Sequence, residues 1–475
     1  MTTLISRPAA PLVGRRPRVK HLFGTTALAF VTFMFSPMLA YQWQTPLGNI
    51  TPTRIGILGL FCALSTTLIK TRVGRRGATW LFAQGFLLLL LIVGTAYSVQ
   101  VTLAITAILN HIEAACLFVL FYILVKGRRW LTRRGAAMLP LYAYLPSGAM
   151  ALYQAAQLSL GQIPSIPLLS LTSLASGSAN AATTAFGTGL DAFGLDRIAA
   201  ATGDPPTFGI LSALVLVYLF WVRSVVDSLP RLRVMLVVAV ACAGVVLSQS
   251  LSALIVLGIG IGAQLARQRF GEGYSHPQAG RRGGHGTWAL FAGVGLVMAI
   301  TLVLVPTAPR FVSAALTRIV AFGQGTGTLG NHLALLGGGL TLFGTSPLLG
   351  VGTGAASSLY FGQPVDFSSF HDVLILRMAE NGVLGGVAVL LTWLVLARYV
   401  PFSIMVASLA AWFLYMDWNR LPYIWCLLGV VAALHEAHRD SQMTRSGSDT
   451  EAGSVPATRP NSQLSPPVSR VPGSW

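Results

Sequence analysis

The densest group of chemically able side chains in this sequence is His371, Asp372, Arg377, Glu380 and Asn381, directly ahead of Gly382 and a long apolar run. Histidine supplies a base near neutral pH, a carboxylate a general acid or base, and a guanidinium a permanent charge that can engage two phosphate oxygens. On a helix Arg377 and Glu380, three apart, share a face, and His371 lies about 13 Å from Glu380 along the axis at 1.5 Å per residue. The spacing places His371 at the mouth of a helix and Glu380 deeper. An Arg377–Glu380 pair that only neutralises itself inside a bundle is the structural alternative.

Three further constellations stand out. Arg197 precedes Gly203-Asp204-Pro205-Pro206-Thr207-Phe208, where the prolines set a helix start and Asp204 suits its cap, which leaves Arg197 unexplained by capping. Arg310 and Arg318 are two more arginines able to converge on an anion such as a diphosphate, with lipid headgroups as the alternative partner. Pro347-Leu348-Leu349-Gly350-Val351-Gly352-Thr353-Gly354 has the alternating glycines of an anion nest, although a tight turn is the favoured reading. Asn110, His111 and Glu113 lie in the middle of an apolar stretch, where they would either hydrogen-bond between helices or act as a relay or binding site. No metal site is expected. His435 and His438 complete no zinc motif, and Cys62, Cys116, Cys242 and Cys426 are isolated within apolar runs.

The elements that hold these residues are set by composition. Of 475 residues 54% are hydrophobic and 10% charged, with mean hydropathy +0.68. A soluble chain of this length would carry far more charge on its surface, so a water-soluble enzyme is excluded and a bilayer is the fitting solvent. The formal charge of +18 does not indicate nucleic acid, because the basic residues cluster at the ends of apolar runs rather than along a stripe with aromatics. The expected architecture is all-α, a polytopic integral membrane protein with about 12 transmembrane helices. The spans fall at 22–41, 54–69, 78–96, 101–125, 136–157, 206–222, 232–247, 251–266, 288–306, 373–397, 401–416 and 421–435.

Orientation follows from the arginines. With the N-terminus in the cytoplasm, 26 of the 32 Lys and Arg residues fall inside, and six (Arg54, Arg197, Arg310, Arg318, Arg377 and Arg420) fall outside. The chain then divides into a basic arm (1–21), N-terminal spans (22–157), an outer loop (158–205), central spans (206–306), a large outer loop (307–372), C-terminal spans (373–435) and a disordered cytoplasmic tail (436–475). Both termini are expected in the cytoplasm. Arginines kept outside run against the topology rule and are the ones expected to do chemistry.

Taken in order, Arg197 with Gly203-Asp204-Pro205-Pro206, Ser248-Gln249-Ser250-Leu251-Ser252-Ala253-Leu254, Thr345 to Gly354, and His371 with Glu380-x-Gly382 resemble the bacterial O-antigen ligase and polymerase superfamily, over about residues 197–395. The resemblance implies a GT-C-like inverting glycosyltransferase of the bacterial inner membrane that needs no metal and no cofactor. Its donor would be an oligosaccharide on undecaprenyl diphosphate, its acceptor another glycan, with membrane lipids and other polysaccharide assembly proteins as neighbours and no nucleic acid. On the matching positions, His371, Arg197 and Glu380 would be catalytic, and Arg197, Arg310, Arg318 and Arg377 would bind the diphosphate. His332, His111 and Glu113 are secondary candidates. The Ser248-x-Ser250 turn is closer to exopolysaccharide polymerases than to ligases, which commonly have Ser-Arg-Gly there. Polymerisation is therefore the leading reading, with O-antigen ligation and a transporter or flippase as alternatives. Arg54, in a short loop outside the match, is expected to tolerate lysine.

Overall fold

The structure, a computed structural model, describes residues 19–38, 43–45, 48–70, 75–127, 131–160, 198, 200–202, 204–226, 229–270, 320, 328–362, 372–414 and 421–452. Among them are α1 (Val19–Phe35), α2 (Pro52–Lys70), α3 (Arg75–Ala96), α4 (Val101–Lys126), α5 (Arg133–Ser159), α6 (Pro205–Val225), α7 (Arg231–Ser248) and α8 (Leu251–Phe270). They continue with α9 (Thr328–Thr345), α10 (Ala356–Phe361), α11 (Val373–Tyr399), α12 (Phe402–Leu414) and α13 (Pro422–Ala452). A small antiparallel hairpin, β1 (Trp43–Thr45) with β2 (Gly48–Ile50), pairs Trp43 with Ile50 and follows α1.

Among the described residues six helices are long and apolar enough to cross a membrane, within α3, α4, α6, α7, α8 and α11. Helices also stand at the other expected span positions, except 288–306, which lies outside the described residues. The first span was expected to reach residue 41, but α1 stops at Phe35. There Ser36 turns its hydroxyl back to the Phe33 carbonyl ahead of Pro37, whose ring disfavours helical geometry in the residue before it. Of the tail expected to be disordered from residue 436, the part through Ala452 continues α13 as a helix, and 453–475 lie outside the described residues. From Glu436 onward the chain forms a separate unit.

Up to His435 the packing closes a cycle. α1 packs on α2, α2 on α4, α4 on α3, α3 on α11, α11 on α12, α12 on α8, α8 on α6, α6 on α7, α7 on α5, and α5 on α1. Every residue from Leu421 to Leu434 is buried, as expected of a helix apolar on all sides, and this half of α13 meets the surrounding helices with aromatic rings. Tyr423 meets Phe33 of α1, and Trp425 meets Trp80 of α3 and Trp412 of α12. The Tyr423 hydroxyl donates to Pro140 O of α5, at 2.9 Å.

Candidate functional site

α11 begins at Asp372, whose Oδ1 accepts from the backbone N–H of Leu374 (2.7 Å) and Ile375 (3.1 Å). This is an N-cap, satisfying two of the donors that a helix start leaves open. Asp372 is buried, and its other oxygen, Oδ2, has no hydrogen-bond partner. Burial raises the pKa of its carboxyl above the usual carboxylate range, while the two backbone bonds work the other way.

Three turns further on, α11 breaks. Gly382 has φ 66° and ψ −161°, a conformation open essentially to glycine alone. The chain after α9 fills the break: Val351 N donates to Ala379 O (2.9 Å), Gly352 N to Glu380 O (2.9 Å), and Val383 N donates to Pro347 O (2.8 Å). A Cβ on Gly382 would lie 2.1 Å from Leu348 O, so the close approach also requires glycine.

Glu380 ties the two chains together. Its Oε2 accepts from Arg377 Nη1 at 2.7 Å, and its Oε1 accepts from Gly354 N at 2.9 Å. The Arg377 side chain is 1% exposed and that of Glu380 5%. The structure thus takes the self-neutralising alternative: the pair clamps the glycine loop across the helix break, with both charges enclosed by protein. Asn381 Nδ2 donates to Thr353 Oγ1 (2.9 Å) and Leu90 O (3.2 Å), and Thr353 Oγ1 donates to Leu91 O (3.0 Å). The glycine loop is therefore fixed to the end of α3 as well. Its five successive N–H groups, from Gly350 to Gly354, all donate to protein oxygens, which makes it the tight turn and not an open anion nest.

A second polar cluster joins α2, α3 and α4. Arg54 donates through Nε to Glu113 Oε2 (2.9 Å) and through Nη2 to Asn110 Oδ1 (2.6 Å). His111 donates through Nε2 to the Gln84 carbonyl at 3.2 Å. Arg54, expected to tolerate lysine, has a structural task here: its guanidinium balances a buried carboxylate. Arg54 and Gln84 were not legible as partners of this cluster, since they lie far from it in sequence and carry no periodic signal.

Arg197, Arg310, Arg318 and His371 lie outside the described residues, and His332 is placed on α9. The neighbours of the first and last are described. Ile198, after Arg197, is buried and donates to Leu247 O at the end of α7, while Ala200 N donates to Gln154 Oε1 of α5. Asp204 caps α6 as expected, with Thr207 N at 3.0 Å and Thr207 Oγ1 at 2.6 Å from Oδ2. The Ser248–Ser252 turn is a helix junction, with Gln249 left-handed at φ 49° and Ser250 Oγ accepting from Ala253 N.

Ile198, Asp204 and the Ser250 turn lie at one end of the bundle. Ser403, starting α12 just after α11 ends, donates to Gln264 late in α8, so α8 and α11 begin on the same side. α6 begins there too, because Gly209 faces Ser250 and Ala253. Ile198, Asp204, Ser250 and Asp372 therefore share that end, and the glycine loop meets α11 roughly 13 Å further along its axis. Among the described residues no group of three His, Cys, Asp or Glu side chains converges as metal ligands.

Comparison of the chain with protein-family models finds no match, and comparison with curated protein sequences finds none either.

Proposed function

We propose that this chain is an inverting glycosyltransferase of the bacterial inner membrane, polymerising oligosaccharide repeat units carried on undecaprenyl diphosphate at the outer face. The observation that carries the reading is the gathering at one end of the bundle of Ile198 and Asp372, the chain neighbours of Arg197 and His371, beside Asp204 and the Ser250 turn. The 26 to six division of basic residues puts that end outside.

In this reading an acceptor hydroxyl oxygen forms the new bond to the sugar's anomeric carbon, and the bond from that carbon to the diphosphate oxygen breaks. Charge grows on the departing diphosphate, where Arg197, Arg310 and Arg318 stabilise it. His371 accepts the hydroxyl proton or orients the diphosphate, and the clamped α11 start positions it. A transporter would need Asn110, His111 and Glu113 available for coupling; here Arg54 already engages Asn110 and Glu113, which favours the transferase.

The test is polymer formation in membranes carrying Arg197→Lys or His371→Ala, with inserted protein quantified alongside. Each change should lower product about a hundredfold, since removing one donor aimed at developing charge costs on the order of 3 kcal/mol. Near-normal product from both at normal abundance would remove this site.

A further inference from the structure

Residues 328–361, which comprise α9, the glycine loop and α10, contain no Asp, Glu, Lys or Arg. Even so, large apolar side chains stand uncovered along them: Leu348 is 71% exposed, and Leu333, Leu340, Leu349, Leu359 and Phe361 are exposed as well. A segment between membrane spans that met water would be expected to carry charge there.

The apolar stretch of α9 among the residues with described side chains, Leu333–Thr345, spans about 20 Å at 1.5 Å per residue, short of a bilayer core of about 30 Å. It turns back instead. The ring of Tyr360 on α10 lies against Gly338 of α9, where a Cβ would come within 2.1 Å of it, and the Tyr360 hydroxyl donates to Ala334 O. The connecting loop reaches Gly382, roughly 13 Å along α11 from Val373 at 1.5 Å per residue. It also meets α3 at Leu91 and Gly94, and α4 at Leu103 and Ala104.

Non-helical backbone persists at membrane depth only where protein satisfies its polar groups. Over Gly350–Gly354 the loop meets that demand, since each N–H there has a protein acceptor. The helix beside α9 continues the same surface: α11 exposes Val383, Leu384, Val387, Leu390 and Leu394.

We propose that α9, the glycine loop and α10 form a re-entrant hairpin, its exposed leucines seated among the lipid acyl chains of the leaflet on the α3–α4 turn side. The segment expected to be part of an aqueous loop at 307–372 is then membrane-embedded over 328–361. The inference needs only a membrane-embedded chain, so it stands or falls separately from the transferase reading.

Site-directed spin labelling tests it. Cys62 and Cys116 are replaced by alanine, the buried Cys242 and Cys426 are kept, and single cysteines are placed at Leu340, Leu348 or Leu359. The labelled full chain is reconstituted in phosphatidylcholine–phosphatidylglycerol vesicles, with Leu394→Cys as the lipid-facing control and Gln268→Cys as the water-facing one. At all three hairpin sites the ratio of collisions with oxygen to collisions with a water-soluble nickel chelate should match Leu394 and exceed Gln268 severalfold. A ratio like that of Gln268 would put the hairpin in water. Low collision rates with both reagents would mean that protein covers the face, and either outcome overturns the proposal. Because the three positions are exposed, loss of fold at one leaves two to report.

Discussion

Removing one half of the Arg377–Glu380 pair should harm the protein far more than removing both. Arg377→Met leaves the Glu380 carboxylate, 5% exposed, without its guanidinium, and breaking a buried pair this way costs about 3–5 kcal/mol. Glu380→Gln keeps an acceptor for Gly354 N but takes the anion from a guanidinium that is 1% exposed, with a cost of about the same size. In the double variant both charges are gone, while the amide oxygen introduced by Glu380→Gln still receives Gly354 N. The loss then approaches that of a neutral hydrogen bond, about 1 kcal/mol. The cycle should therefore show a coupling of about 5 kcal/mol or more, against the 0–1 kcal/mol of an exposed pair. Equilibrium unfolding in mixed micelles, run on wild type, both singles and the double, measures it. Singles that cost under about 1 kcal/mol, or that add in the double to within about 0.5 kcal/mol, would refute the clamp across the helix break.

Two other perturbations follow from the geometry. Arg54→Lys should cost about 1–2 kcal/mol, because one ammonium cannot meet both Glu113 Oε2 and Asn110 Oδ1 as the fork does, and an unchanged thermal midpoint would contradict that. Asp372→Asn keeps a side-chain oxygen for the cap but removes the charge whose burial raises the carboxyl pKa. A carboxyl held more readily protonated in the folded state contributes stability at low pH and loses it as pH rises through the folded pKa. Wild type should thus fall behind Asp372→Asn as pH increases toward neutral, and the two should converge below about pH 4. Parallel unfolding curves across that window would show that Asp372 does not titrate in this way.

What could be read from the sequence was local. Apolar runs located the helices, the Asp204-Pro205-Pro206 start and the Asp372 cap lay within a few residues of the N–H groups they serve, and the i, i+3 spacing gave the Arg377–Glu380 pair. The favoured turn at Gly350–Gly354 was likewise written in its glycines. These signals arise within one turn of helix, where chain geometry alone fixes which side chains meet.

Only tertiary structure decided the rest. Arg54 finds Glu113 across 59 residues, Thr353 finds Leu91 across 262, and the α11 break receives a loop whose donors replace the lost helical bonds. No periodicity encodes such partners, because each depends on which helix faces which once the bundle has packed. The central half of α13 makes the same point. Its composition marked it as an apolar span, but its place against Phe33, Trp80 and Pro140 was set by contacts between segments hundreds of residues apart. Sequence thus determined the membrane solvent and the local helix signals, and packing determined which buried charges and glycines became a clamp.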